Sequence, residues 1–193
     1  MTTKSTDRPL RADARRNQTK VLDAARVVFA RHGIEAGMEE VARHAGVGVG
    51  TIYRHFPTKE ALIGALAVEH LRHLVTRTQQ AAEAQDAWSA FEALLWAAAE
   101  EREGDLAMTE IAAQAFQGGL PEADALHAQL HEVSDTLMGR AIAQGAMRAD
   151  ATAQDLGVLM CGLGQVQSVG RHCPAPMPWR RYLTIVIDGL RAR

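Results

Sequence analysis

Apolar positions along this chain recur every three to four residues, and most runs stop at glycine or proline. Met38, Val41, Ala42 and Ala45 fall at i, i+3, i+4 and i+7, one face of a helix. Gly46 follows, where a helix end favours a residue that tolerates positive φ. Val47 is placed to plug the gap before a second short helix, Val49 to His55, with Gly48 as its N-cap. Ile52 and Phe56, four apart, face inward together, which leaves Thr51, Tyr53, Arg54 and His55 mostly outward. Pro57 cannot continue that helix, and Thr58 caps the next. Upstream, Val21, Leu22, Ala25, Val28 and Phe29 form a stripe that predicts a helix from about Asp13 to His32, stopped by Gly33. Residues 1–11 carry no pattern and read as a flexible arm, with Lys4, Arg8 and Arg11 available to a polyanion.

Downstream, a helix from Lys59 to about Gln80 carries Leu62, Ala65, Leu66, Leu74 and Val75, and five more helices follow. They are expected over 87–102, with Trp88, Phe91, Leu95 and Ala98 on one stripe; over 106–117; from Pro121, well suited to a first turn, to about Gln144; from a Thr152 cap to about Val169, with Leu156, Leu159, Met160, Leu163 and Val166 inward; and over 179–192. Residues 170–178 hold three prolines and read as a loop. The last helix has two apolar stripes, Trp179, Leu183, Ile187, Leu190 and Tyr182, Ile185, Val186, Gly189. A terminal helix has one core to face, so a second stripe suggests a partner subunit. Gly157, Gly162 and Gly164 in the preceding helix permit close approach, although each costs about 1 kcal/mol against Ala. Leu159, Leu163, Val166, Tyr182, Ile185, Val186 and Gly189 are therefore the expected face of a two-fold, four-helix interface; a last helix buried wholly within one body is the alternative.

Composition agrees with an all-α fold: hydrophobic residues make up 47% but aromatics only 5%, and Ala, Leu, Glu and Arg are abundant. The net charge of −2 conceals an asymmetry. Residues 1–60 hold eleven Lys and Arg against seven Asp and Glu, about +4, and the remainder is about −6. A basic head on an acidic body suits a phosphate-binding part joined to a part that is not one. Cys161 and Cys173 have no metal-ligand spacing. Neither a membrane-span run nor a signal-peptide core is evident, and the expectation is a soluble cytoplasmic protein with no membrane partner.

Two helices joined by a tight glycine-containing turn form a helix-turn-helix. A second helix with small and polar outward residues fits the major groove, and nearby cations and hydroxyls grip phosphates. The stretch GVGVGTIYRHFPTKEALI resembles the signature of the tetracycline-repressor (TetR) family of bacterial transcription regulators, its aromatic pair Tyr53 and Phe56 followed by Lys59 being the most specific part. Upstream, LDAARVVFARHGIEAGMEEVARHAG is similar to that family's first two helices. The resemblance covers roughly residues 13 to 66. Many family members place Ser or Thr just before the second helix; Ala36 and Gly37 stand there here, so a phosphate contact would have to come from a backbone N–H.

The resemblance implies a three-helix DNA-binding domain, residues 12–58, and a helical effector-binding and dimerisation domain, residues 59–193. Val49, Gly50 and Thr51 are expected at base edges, with Arg43, Tyr53, Arg54, His55 and Lys59 at phosphates or adjacent edges. It also implies an effector pocket, for which Trp88, Phe91, Met108, Phe116, Met138 and Met160 are the candidates, against plain core packing for each. The acidic body weakly favours a neutral or cationic ligand. The implied protein is a homodimeric repressor of a palindromic operator, released by a small, largely apolar effector and needing no cofactor or metal. No nucleophile elbow, Walker loop or Rossmann glycine pattern is present. Two alternatives stay open: a small helical metal-dependent enzyme using Asp124, His127 and His131 on one helix face, and a DNA-binding regulator without a small-molecule effector.

Overall fold

The computed structural model describes residues 7–103, 105, 107, 110–112, 120–170 and 178–192, with side chains for all but 7–15 and 168–170. The helices are α1 (Asp7–His32), α2 (Met38–Ala45), α3 (Val49–His55), α4 (Lys59–Glu83), α5 (Ala87–Arg102), α6 (Pro121–Ala143), α7 (Ala153–Gly170) and α8 (Trp179–Leu190). The chain is all-α. It forms two compact units that divide inside α4, the first Met1–Leu66 with Asp105–Ile111, the second Ala67–Gly104 with Ala112–Arg193.

In the first unit α1 packs on α2 and α2 on α3. Val21, Ala25, Val28 and Phe29 of α1, Met38, Val41 and Ala42 of α2, and Ile52 and Phe56 at α3 are all buried, as their spacing requires. The turn between α2 and α3 is a Schellman motif: Gly46, at φ 66°, donates to Arg43 O, and Val47 donates to Ala42 O at 3.1 Å. Val47 is only half-buried, a partial plug. A Cβ at position 46 meets no neighbour, so Gly46→Ala should cost the left-handed backbone alone, about 1–2 kcal/mol. Denaturant unfolding of the two proteins measures it, and an unchanged midpoint would mean the turn relaxes without loss.

In the second unit α5 packs on α6 and α7, α6 on α7, and α7 on α8. Its core gathers Trp88, Phe91 and Leu95 of α5, Leu137 and Met138 of α6, and Leu163, Leu183 and Ile187 of α7 and α8. Capping at α6 and α7 matches the sequence signals, and α5 has a side-chain cap of its own. Asp86 accepts from the Ser89 N–H at 2.9 Å, Pro121 opens α6, and Thr152 and Asp155 cap α7 reciprocally, each side chain accepting from the other's N–H at 3.2 and 3.0 Å. Gln144 clamps the start of α5, its Oε1 accepting from the Ala87 N–H and its Nε2 donating to Gln85 O.

Two boundaries differ from expectation. α1 begins at Asp7, so residues 7–11 of the expected arm are helical; DRPLRADARR lacks an apolar stripe but is rich in helix formers, with Pro9 tolerated near the first turn. Lys4 lies outside the described residues. α8 ends at Leu190 rather than Ala192, because Arg191 pairs in an antiparallel bridge with Met147, flanked by Arg148 N–H to Leu190 O and Ala192 N–H to Ala146 O, both 3.0 Å. Of the helix expected over 106–117, residues 110–112 are helical and most others, Met108 and Phe116 among them, lie outside the described residues, as do 171–177 and Cys173.

Candidate nucleic-acid interface

The short helix α3 buries Ile52 and sets its opposite side in solvent. Val49 is 39% and Tyr53 43% exposed, so two sizeable side chains four apart on one helix stand in solvent together. Gly50 and Arg54 are exposed beside them, and Thr51, His55 and Lys59 are half-buried. A Cβ at Gly50 would touch nothing within 4 Å, so packing inside the chain does not require glycine there. His55 and Phe56 form a tilted ring pair, centroids 6.4 Å apart. At the start of α4, Thr58 Oγ1 accepts from the Ala61 N–H at 3.1 Å. Hydrogen bonds from its own backbone N–H and the Thr58 hydroxyl, with Lys59 beside it, hold the Glu60 carboxyl below its usual range. Lys59 thus stands at a capped helix start, one residue beyond the cap.

Arg43 projects from the last turn of α2, its side chain 79% exposed, with Glu40 at 3.7 Å. Glu40 also faces His32 of α1 at 3.7 Å. Gly37 caps α2 with no side-chain hydrogen bond, so that N-terminus offers backbone N–H groups only, in keeping with the Ala36 and Gly37 pair that precedes it. All eight expected DNA-contact residues lie on α3 or the helix ends next to it in sequence.

The candidates in the body separate differently. Trp88, Phe91 and Met138 are 5%, 1% and 2% exposed and belong to the core, the two rings 5.7 Å apart. Met160 is half-buried against that core. Of the expected interface residues, Leu163 and Val186 lie in the same core, Leu163 only 1% exposed. Leu163 therefore has no surface to offer a partner and is a core residue instead: apolar positions encircle α7, and its inner stripe carries Leu163. Ile185, 59% exposed, and Gly189 point outward, Tyr182, Leu159 and Val166 are half-buried, and Tyr182 donates a long hydrogen bond to Leu159 O, 3.4 Å. Sequence reasoning missed Val158, 69% exposed, although LGVLM puts it on the face opposite the core stripe. With Leu159, Ile185, Val186 and Gly189 it lines an open groove of about 590 Å³ between α7 and α8.

Among the described residues no group of three His, Cys, Asp or Glu side chains could hold a metal, so Asp124, His127 and His131 do not meet as a site. His131 instead faces Asp135 at 3.2 Å. Burial pushes the His127 imidazole toward its neutral form, with Asp124 opposing. No described helix is long and apolar enough to cross a membrane.

Comparison with known proteins accounts for both units. The family model of the bacterial regulatory proteins of the tetR family matches residues 21–66, and that of the SbtR-like transcriptional regulator C-terminal domain matches 83–192. The HTH-type transcriptional regulator UidR of Escherichia coli is 31% identical over 72 residues, 37% of this chain; the chain covers only 37% of that relative's length. A TetR transcription regulatory protein from Mycobacterium vanbaalenii superposes with a TM-score of 0.66 at 30% identity, over 95% of this chain and 100% of that one. The TetR transcriptional regulator SCO0520 from Streptomyces coelicolor gives 0.65 at 28% identity, over 91% and 98%. With one family model spanning more than half of the chain and that full-length structural relative, the chain belongs to the TetR family of bacterial transcriptional regulators.

Proposed function

We propose that this protein represses transcription as a homodimer bound to a palindromic operator and is released by a small effector, residues 12–58 serving DNA and residues 59–193 serving effector and dimer. The observation that carries the reading is the outer face of α3, where Val49, Gly50, Tyr53 and Arg54 stand exposed on a helix whose other side is core. Val49 and Thr51 carry methyls for a thymine edge, and the bare Gly50 lets the helix approach base pairs. Tyr53, Arg54, His55, Lys59 and Arg43 supply donors for phosphates.

The second unit supports the two-fold assembly. Among the described residues the most exposed large hydrophobics are Val158 and Ile185, and both line the α7–α8 groove. A Cβ at Gly157 or Gly189 meets nothing within 4 Å, so the chain itself does not need glycine there, whereas a helix from a second copy lying across this face does. A two-fold axis there would present two heads to two half-sites.

Selection of bound DNA from random sequence tests the whole reading: an inverted repeat supports it, and absence of enrichment overturns it. With that site in hand, Lys59→Ala is expected to lower the slope of log affinity against log salt by about one unit for each phosphate that Lys59 neutralises. Tyr53→Phe is expected to weaken all DNA sequences alike, because only a hydroxyl goes. An unaltered slope removes Lys59 from the interface, and unaltered affinity removes Tyr53. Effector and operator must weaken each other by the same factor if release is the mechanism.

A further inference from the structure

Gln167 is a polar side chain set in an apolar seam. It lies on α7, is 8% exposed, and its Nε2 donates to Ala99 O on α5 at 2.8 Å. A carbonyl oxygen only accepts, so the amide nitrogen must face Ala99, and this fixes Oε1 at the other end. Oε1 is buried with no hydrogen-bond partner. Folded proteins pair such atoms almost without exception, because an unmade buried bond carries the full desolvation penalty.

Arg102 follows Ala99 by one turn of α5, and its Nε–H is likewise buried without an acceptor. Burial lowers the guanidinium's proton affinity, while Cys161 on α7 and Glu101 act in the opposite sense. Glu101 itself is engaged with Arg77. The residues one turn before Arg102 and Gln167 on their own helices, Ala98 and Ala99 on α5 and Leu163 and Gly164 on α7, are apolar and buried. One unfilled acceptor and one unfilled cationic donor thus border the same pair of helices.

We propose that the α5–α7 seam binds a small hydroxylated carboxylic acid, its hydroxyl donating to Gln167 Oε1 and its carboxylate accepting from Arg102 Nε–H. The proposal rests on the effector reading and gives that ligand a chemistry. Oε1 demands a donor. The guanidinium stays protonated and forms its strongest hydrogen bond with an anion. The body's negative charge slows approach of an anion, but the local cation decides its residence.

The test uses the full-length chain and a panel of 2-, 3- and 4-hydroxybenzoate with benzoate and phenol, followed by calorimetric titration. The expected result is that one hydroxybenzoate binds about tenfold or more tighter than both benzoate and phenol. Gln167→Leu should erase the advantage over benzoate and leave benzoate binding unchanged, with Gln167→Met as the second variant should leucine disturb the fold. Arg102→Met should weaken both carboxylates and spare phenol. If no hydroxybenzoate binds the wild type, or its advantage survives in Gln167→Leu and Gln167→Met, the proposal is overturned. The effector reading is judged separately: a compound that loosens the operator complex of wild type and Gln167→Leu alike sustains it while removing this site.

Discussion

Ile185→Glu is expected to give a folded monomer. Ile185 is 59% exposed in the single chain, so a glutamate there keeps its water until a second copy arrives, and monomer stability should change by no more than about 0.5 kcal/mol. In a two-fold seam along α7 and α8 the same carboxylate is stripped of water, and the cation lining that groove, Arg148, is already held by Asp150. An unpaired buried charge costs about 3–5 kcal/mol, and symmetry imposes the cost twice. Val186, its neighbour, is 9% exposed and part of the core, so Val186→Glu should unfold the body instead. Light scattering with circular-dichroism melts separates the two outcomes. If Ile185→Glu remains a dimer of wild-type stability, the interface lies elsewhere. Where the monomer forms, operator affinity should fall steeply, since the second half-site is then bound without the effective concentration of a linked head.

Helix punctuation is open to reading because the chemistry is local. Gly46 can hold a positive φ, Pro57 lacks a donor, Pro121 suits a first turn, and Thr152 with Asp155 closes a cap; each marks a boundary the structure keeps. The outward side of α3 is readable for the same reason: Ile52 fixes the buried face, and the rest follows from the helical period. What escapes depends on distant residues. Nothing near Arg191 announces that Met147 will pair with it and stop α8. Around α7, Leu156, Val158, Leu159, Met160 and Leu163 surround the axis, and hydropathy alone does not distinguish a side chain facing its own core from one facing outward. For that reason Leu163, inward by its spacing, is also expected at the interface, and Val158 is passed over. Gln167 and Arg102 carry no signal, because burial, not residue type, makes them notable.

Phe91 separates core from pocket. As a pocket wall it should tolerate truncation, losing ligand affinity before stability, because one side of its ring already faces open space. Its surroundings point the other way: it is 1% exposed, in ring contact with Trp88, and in the cluster that holds Leu95, Leu137, Met138 and Leu183. Phe91→Ala is therefore expected to cost about 3–5 kcal/mol, a large part of the roughly 5–15 kcal/mol that holds a typical domain together. Urea unfolding monitored by far-ultraviolet circular dichroism measures it. Met160→Ala, at a half-buried site on α7, should cost clearly less, since less of its side chain is packed and the gap can fill with solvent. A loss below about 1 kcal/mol for Phe91→Ala would mean that its ring borders a cavity after all, and Phe91 would return to the effector site. A loss in the full range removes Phe91 from any binding experiment, because a weaker effector response in that variant would report a loosened core and not poorer recognition of the ligand.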